Sequence, residues 1–109
     1  MTVGGCSSLI SQPGGFVKIR NYSAVERSVS VKISKKDDGE IVFQEDVSID
    51  GEERIEYQNA FNGGEYSANV EIEEFGKKSF DLSVGNCSDI PFQVLIDSDR
   101  FGLSQGYCG

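Results

Sequence analysis

Glu65-Tyr66-Ser67-Ala68-Asn69-Val70-Glu71-Ile72-Glu73 alternates with a period of two. Tyr66, Ala68, Val70 and Ile72 fall on one side; Ser67, Asn69, Glu71 and Glu73 fall on the other. Successive side chains of a strand point to opposite faces, so the pattern describes a strand with one dry face and one wet face.

Similar runs lie on both sides of it. Upstream, Phe16–Asn21 carries Val17 and Ile19 in phase, and 26–34 carries Val29, Val31 and Ile33 against Ser28, Ser30 and Lys32. Asp38-Gly39 marks a hairpin loop, because glycine accepts the positive φ such turns require. The run 40–49 places Ile41, Phe43, Val47 and Ile49 in phase, with Glu45 in the same register, which points to an edge strand or a bulge. A short strand is expected over 54–58, with Ile55 and Tyr57. Downstream, 79–84 carries Phe80, Leu82 and Val84; 90–96 is apolar on both faces, as in a central strand; 101–107 closes the chain. Seven or eight strands with turns every 8 to 12 residues predict an all-β fold, an immunoglobulin-like antiparallel β-sandwich, with a small barrel as the alternative.

The chain has 109 residues, enough for one domain with a core between two sheets. Residues 1–15, with Gly4-Gly5, Ser7-Ser8 and Pro13-Gly14-Gly15, read as a flexible N-terminal arm, and 16–109 as the domain. The net charge of −8 opposes binding to nucleic acid or anionic lipid, which takes clustered lysine and arginine. An acidic surface fits ordinary solubility or adaptation to high salt. No stretch approaches the roughly 20 apolar residues of a membrane helix. No apolar segment precedes Cys6, so the expectation is either a trimmed start or a protein that reaches its site without a signal, as a virion component assembled inside its host would.

Three cysteines are the first candidates for chemistry. Cys87 and Cys108 bracket the last two strands, and a bridge between them would contribute about 3 kcal/mol by closing that loop. Two reduced, buried thiols are the alternative. Cys6 follows Val3-Gly4-Gly5, the end of a lipobox-like pattern, and Ser7-Ser8 with the glycine-rich arm fits the linker that follows a lipidated cysteine. A free or intermolecularly bridged thiol is the alternative there. The spacing holds no zinc pattern, since there is no C-x-x-C and no histidine.

The stretch Phe16-Val17-Lys18-Ile19-Arg20-Asn21, followed by Val29-Ser30-Val31-Lys32-Ile33, resembles the opening of Ig-like domains in acidic surface lipoproteins of halophilic archaea. Asp50-Gly51-Glu52 before Arg54, Gly64-Glu65-Tyr66 opening a strand, and Cys87 after Val84-Gly85-Asn86 are similar to later landmarks of that group. The resemblance implies an extracytoplasmic, non-enzymatic role with no catalytic residue. Viruses of such hosts also carry small β-sandwich proteins, so a virion structural or decoration protein, held by its arm and a sheet edge, stands beside the cell-surface reading.

Asn21-Tyr22-Ser23 and Asn86-Cys87-Ser88 are N-glycosylation sequons in expected turns, Asn21 being the preferred one. Asp97-Ser98-Asp99 near Gly102 has two carboxylates of a calcium loop but not the rest of its ligands. Without histidine there is no ordinary general base near neutral pH and no type 1 copper site. The expectation is therefore a protein with no cofactor and no metal. Its partners are other proteins of a surface or particle, its contact with a membrane is limited to a lipid on Cys6, and oligomeric assembly is compatible with it.

Overall fold

Gly14 and Gly15 belong to the first strand, and their lack of side chains is what lets it sit where it does. The computed structural model describes residues 14–85 and 88–106. The expectations attached to Cys6, Asn86, Cys87 and Cys108 lie outside those residues. The described chain forms β1 (Gly14–Asn21), β2 (Arg27–Lys35), β3 (Ile41–Ile49), β4 (Arg54–Asn62), β5 (Gly64–Ile72), β6 (Gly76–Val84), β7 (Ile90–Ile96) and β8 (Phe101–Gln105). The first strand, expected over 16–21, thus begins two residues earlier, at Gly14. A Cβ on Gly15 would lie 2.0 Å from the Ile90 carbonyl oxygen and 2.6 Å from the Phe61 ring, so only glycine permits that approach.

The strands form two four-stranded sheets. Sheet I has the order β4-β1-β7-β8, and sheet II has the order β3-β2-β5-β6. Three hairpins stay within a sheet: β2–β3, β5–β6 and β7–β8. The chain changes sheet at each of the other connections. One feature corrects the antiparallel expectation. At the centre of sheet I, β1 and β7 run parallel, in register from Gly15 opposite Ile90 to Asn21 opposite Ile96. Parallel neighbours need a long crossover, and here the whole of β2 to β6 supplies it. The sheets meet at β3 beside β4 and β6 beside β8 without a shared ladder, so the fold is a sandwich and not a closed barrel.

The core follows from the alternation. Val17 and Ile19 of β1, Val29, Val31 and Ile33 of β2, Ala68, Val70 and Ile72 of β5, and Phe92, Val94 and Ile96 of β7 are buried between the sheets. Each large apolar side chain so buried is worth about 1.5–3 kcal/mol. Aromatic pairs tie one sheet to the other at four places: Phe43–Tyr57 at 5.3 Å, Phe61–Tyr66 at 5.8 Å, Phe80–Phe92 at 5.6 Å and Phe75–Phe101 at 6.3 Å between ring centroids. Glu45 sits opposite Val31 on the edge strand β3, in the inward phase but exposed at the rim, as its place in the sequence pattern anticipated.

Candidate functional site

The outer face of sheet II is scored by a groove along β2. That strand presents Ser28, Ser30 and Lys32 outward, and its serines are short. The neighbouring strands present longer side chains. Ser30 lies opposite Asp46 of β3 on one side and Glu71 of β5 on the other, and Lys32 lies between Gln44 and Asn69. The floor is therefore hydroxyl with the Lys32 ammonium at one end, and the walls are carboxylate and amide, with Lys77 directly opposite Glu71. One depression of about 430 Å3 is lined by Ser30, Lys32, Gln44, Asp46, Asn69 and Lys77 among others. A second, of about 360 Å3, continues from it along Ser28, Ser48 and Glu73, and the two share Ser30, Asp46 and Glu71. Among the described residues, Asp46, Glu71 and Glu73 have no cation within ion-pair distance. Such a groove, with charges of both signs, suits a polar surface that can lie along a strand.

The outer face of sheet I carries three cations close together. Lys18 and Arg20 of β1 face outward beside Arg54 of β4, and Arg20 and Arg54 are direct partners across the ladder. Like charges placed opposite one another repel. Arg20 offsets this by stacking over the ring of Tyr22, 5.0 Å from its centroid. Among the described residues, none of these three cations has a carboxylate within ion-pair distance. Glu56, opposite Lys18, instead accepts a hydrogen bond from Gln58 Nε2 at 3.1 Å. Phe16, Pro91 and Leu95 lie half-buried on the same face. A partly apolar face with three cations, bordered by Glu52, Glu53 and Glu56, thus stands on a chain whose net charge is −8.

Asn21, the preferred sequon, has another role. Its side chain is 2% exposed at the end of β1. Nδ2 donates to the carbonyls of Val25 at 2.8 Å and of Ile49 and Asp50 at 3.1 Å. Oδ1 accepts from the Ser23 backbone N–H at 3.0 Å and the Ser23 hydroxyl at 2.6 Å. The nitrogen that a glycan would join is therefore buried and engaged in the folded domain, and Asn21 is a structural residue there. An asparagine followed two residues later by serine at a strand end is also the signature of an Asx turn, which was the other signal in that triplet.

Arg27 extends this polar cluster. It is 9% exposed, its Nε donates to Ser23 Oγ at 3.4 Å, and its Nη2 donates to the Ser98 carbonyl at 3.3 Å. Its Nη1 lies 3.4 Å from Glu74, and the guanidinium stacks 4.8 Å over Phe75. One cation thus ties three turns together at one end of the sandwich. It also occupies the carbonyl of Ser98, in the middle of the Asp97-Ser98-Asp99 turn considered for calcium. Among the described residues no three histidine, cysteine, aspartate or glutamate side chains converge as a metal site. At the β3–β4 rim, burial, with the Glu45 carboxylate as a smaller cause, pushes the Tyr57 phenol above its ordinary pKa of 10.0.

Fold and surface together define an all-β, two-sheet sandwich whose two broad outer faces both carry charged side chains without ion-pair partners among the described residues. The chain matches no protein-family model, no curated protein and no solved structure.

Proposed function

We propose that this chain is a non-enzymatic structural or interaction module that works outside the cytoplasm by presenting its sheet faces to other proteins. The observation that carries the reading is the placement of charge. Among the described residues, Lys18, Arg20 and Arg54 on sheet I, and Lys32 and Lys77 together with Asp46, Glu71 and Glu73 along the groove of sheet II, have no ion-pair partner. Both are open surfaces suited to contact over an area. The finer assignment to the immunoglobulin-like class is part of this proposal. The order β3-β2-β5-β6, two hairpins joined by a β2–β5 ladder, matches the C′-C-F-G arrangement of that class, while the parallel β1–β7 pair departs from it.

The proposal keeps the chain at a cell surface, tethered through the arm at Cys6, in the manner of the acidic archaeal lipoproteins it resembles. The test is the intact mass of protein purified from its native source, read together with the fraction it comes from. A lipid adduct on Cys6 in the envelope fraction is the expected result. An unmodified chain in purified particles would replace the tethered reading with that of a virion protein. An unmodified chain recovered only from the cytosol would overturn both.

A further inference from the structure

We propose that Asn62 is a site of spontaneous covalent modification, at which the asparagine converts through a cyclic imide with Gly63 into isoaspartate and aspartate. The inference concerns the covalent chain and is independent of what the sheet faces contact. Five asparagines occur in the sequence, and Asn62 is the one followed by glycine. The reaction uses the main-chain nitrogen of the next residue as nucleophile, and a glycine there leaves that nitrogen unshielded. The fold sets Asn62 apart from the other asparagines it describes. Asn21 is 2% exposed, and its carboxamide is engaged at both ends. Asn69 is half-buried, and its Oδ1 accepts from Ser79 Oγ at 2.7 Å. Asn59 is exposed but precedes Ala60, which is buried. Asn62 and Gly63 are both exposed, and among the described residues no hydrogen bond of this kind holds the Asn62 carboxamide.

The Gly63 nitrogen loses its proton and attacks Cγ of Asn62. The new N–Cγ bond closes a succinimide ring, the Cγ–Nδ2 bond breaks, and the amide leaves as ammonia. Water then opens the ring. Attack at Cγ returns an ordinary aspartate; attack at the main-chain carbonyl carbon gives isoaspartate, in which the chain runs through Cβ and Cγ. Neither step requires an oxidant or a reductant. An extended backbone holds the Gly63 nitrogen away from Cγ, so the ring closes when the end of β4 opens. A bulge between Gly15 and Val17 interrupts the β1–β4 ladder, and among the described residues two pairs lie beyond it, Gly15–Phe61 and Gly14–Asn62. Asn62 thus faces a glycine and is followed by Gly63 and Gly64. A strand end of this kind opens locally at low free energy. Gly63 alone joins β4 of sheet I to β5 of sheet II. Isoaspartate adds a main-chain carbon to that link, between Phe61 and Tyr66, whose ring centroids lie 5.8 Å apart across the sheets. Either product also adds a carboxylate to a chain whose net charge is −8.

Peptide mapping of the full folded chain during incubation at mildly alkaline pH tests this. The Asn62 peptide is expected to gain about 1 Da, with isoaspartate among the products, at least about tenfold faster than the Asn21 or Asn69 peptides. The rate is expected to rise with pH, because the deprotonated Gly63 amide is the nucleophile. N62Q is expected to keep its mass at that position. Chain carrying isoaspartate, separated by ion exchange, is expected to melt lower than N62D, which has the same charge on an unaltered main chain. Asn62 that stays intact in the folded chain, over a time in which urea-unfolded chain converts it, would overturn the inference. So would aspartate formed without isoaspartate, which marks direct hydrolysis, or equal rates at Asn59, Asn62 and Asn69. Equal melting of the isoaspartyl chain and N62D would overturn the claim that the product disturbs the β4–β5 link.

Discussion

At the scale of single residues, the polar cluster at one end of the sandwich makes the sharpest claims. Asn21 Nδ2 reaches three backbone carbonyls, of which Val25 also accepts from the Ser23 hydroxyl and Asp50 from the Glu53 N–H. Asn21→Ala removes the amide that links the Val25, Ile49 and Asp50 carbonyls to Ser23 and should cost about 2–4 kcal/mol, so the melting temperature should fall by about 10–20 °C. Peptide mapping of the native protein should find Asn21 unmodified. Arg27 and Glu74 form an ion pair of unequal members, since Arg27 is buried and the Glu74 side chain is 46% exposed. Arg27→Ala removes two hydrogen bonds and the stack on Phe75 and should cost about 2–3 kcal/mol in chemical denaturation. Glu74→Gln leaves a solvated amide and should cost under about 1 kcal/mol. Tyr57 makes a prediction in pH. Its folded pKa lies above the ordinary 10.0, so the unfolded chain ionises first, and its contribution to stability is intact below pH 10 and is lost as pH rises above it. Glu45→Gln should lower the phenolate midpoint only modestly, because burial is the larger cause.

At the scale of strands, two positions decide how the sheets hold and where they end. Gly15→Ala would drive a methyl group into the Ile90 carbonyl at the β1–β7 ladder and should cost about 3 kcal/mol or more, whereas Gly85→Ala meets nothing and should stay within about 0.5 kcal/mol. Glu45 guards the β3 edge by placing a charge in the inward phase. Glu45→Val should raise light scattering at high protein concentration through edge-to-edge pairing. The strands themselves were largely legible, because alternation is a local property: 90–96 and 41–49 lie within a residue of where the pattern puts them. Gly14-Gly15 carry turn chemistry and so read as arm, while β4 runs past the expected end at 58 to Asn62 and β6 begins at Gly76, three residues before the expected 79. The parallel β1–β7 pair has no local signature, since two strands some seventy residues apart leave no mark on each other in sequence. The groove was hidden for a related reason. Ser30, Asp46 and Glu71 are plain wet-face residues until the ladders set them side by side.

At the scale of the whole molecule, the net charge of −8 conceals a division into two unlike faces. Lys18 and Arg20 alternate on one strand and Arg54 lies far along the chain, so their union exists only once β1 and β4 are paired. Function through contact therefore belongs to the folded arrangement and not to any one motif. The most direct measurement is pelleting of native envelopes or particles with added wild-type chain and with R20Q/R54Q, at low salt. The account predicts that the wild type pellets and that most of the variant stays in the supernatant. Equal pelleting of the two, or no pelleting of either, would contradict it.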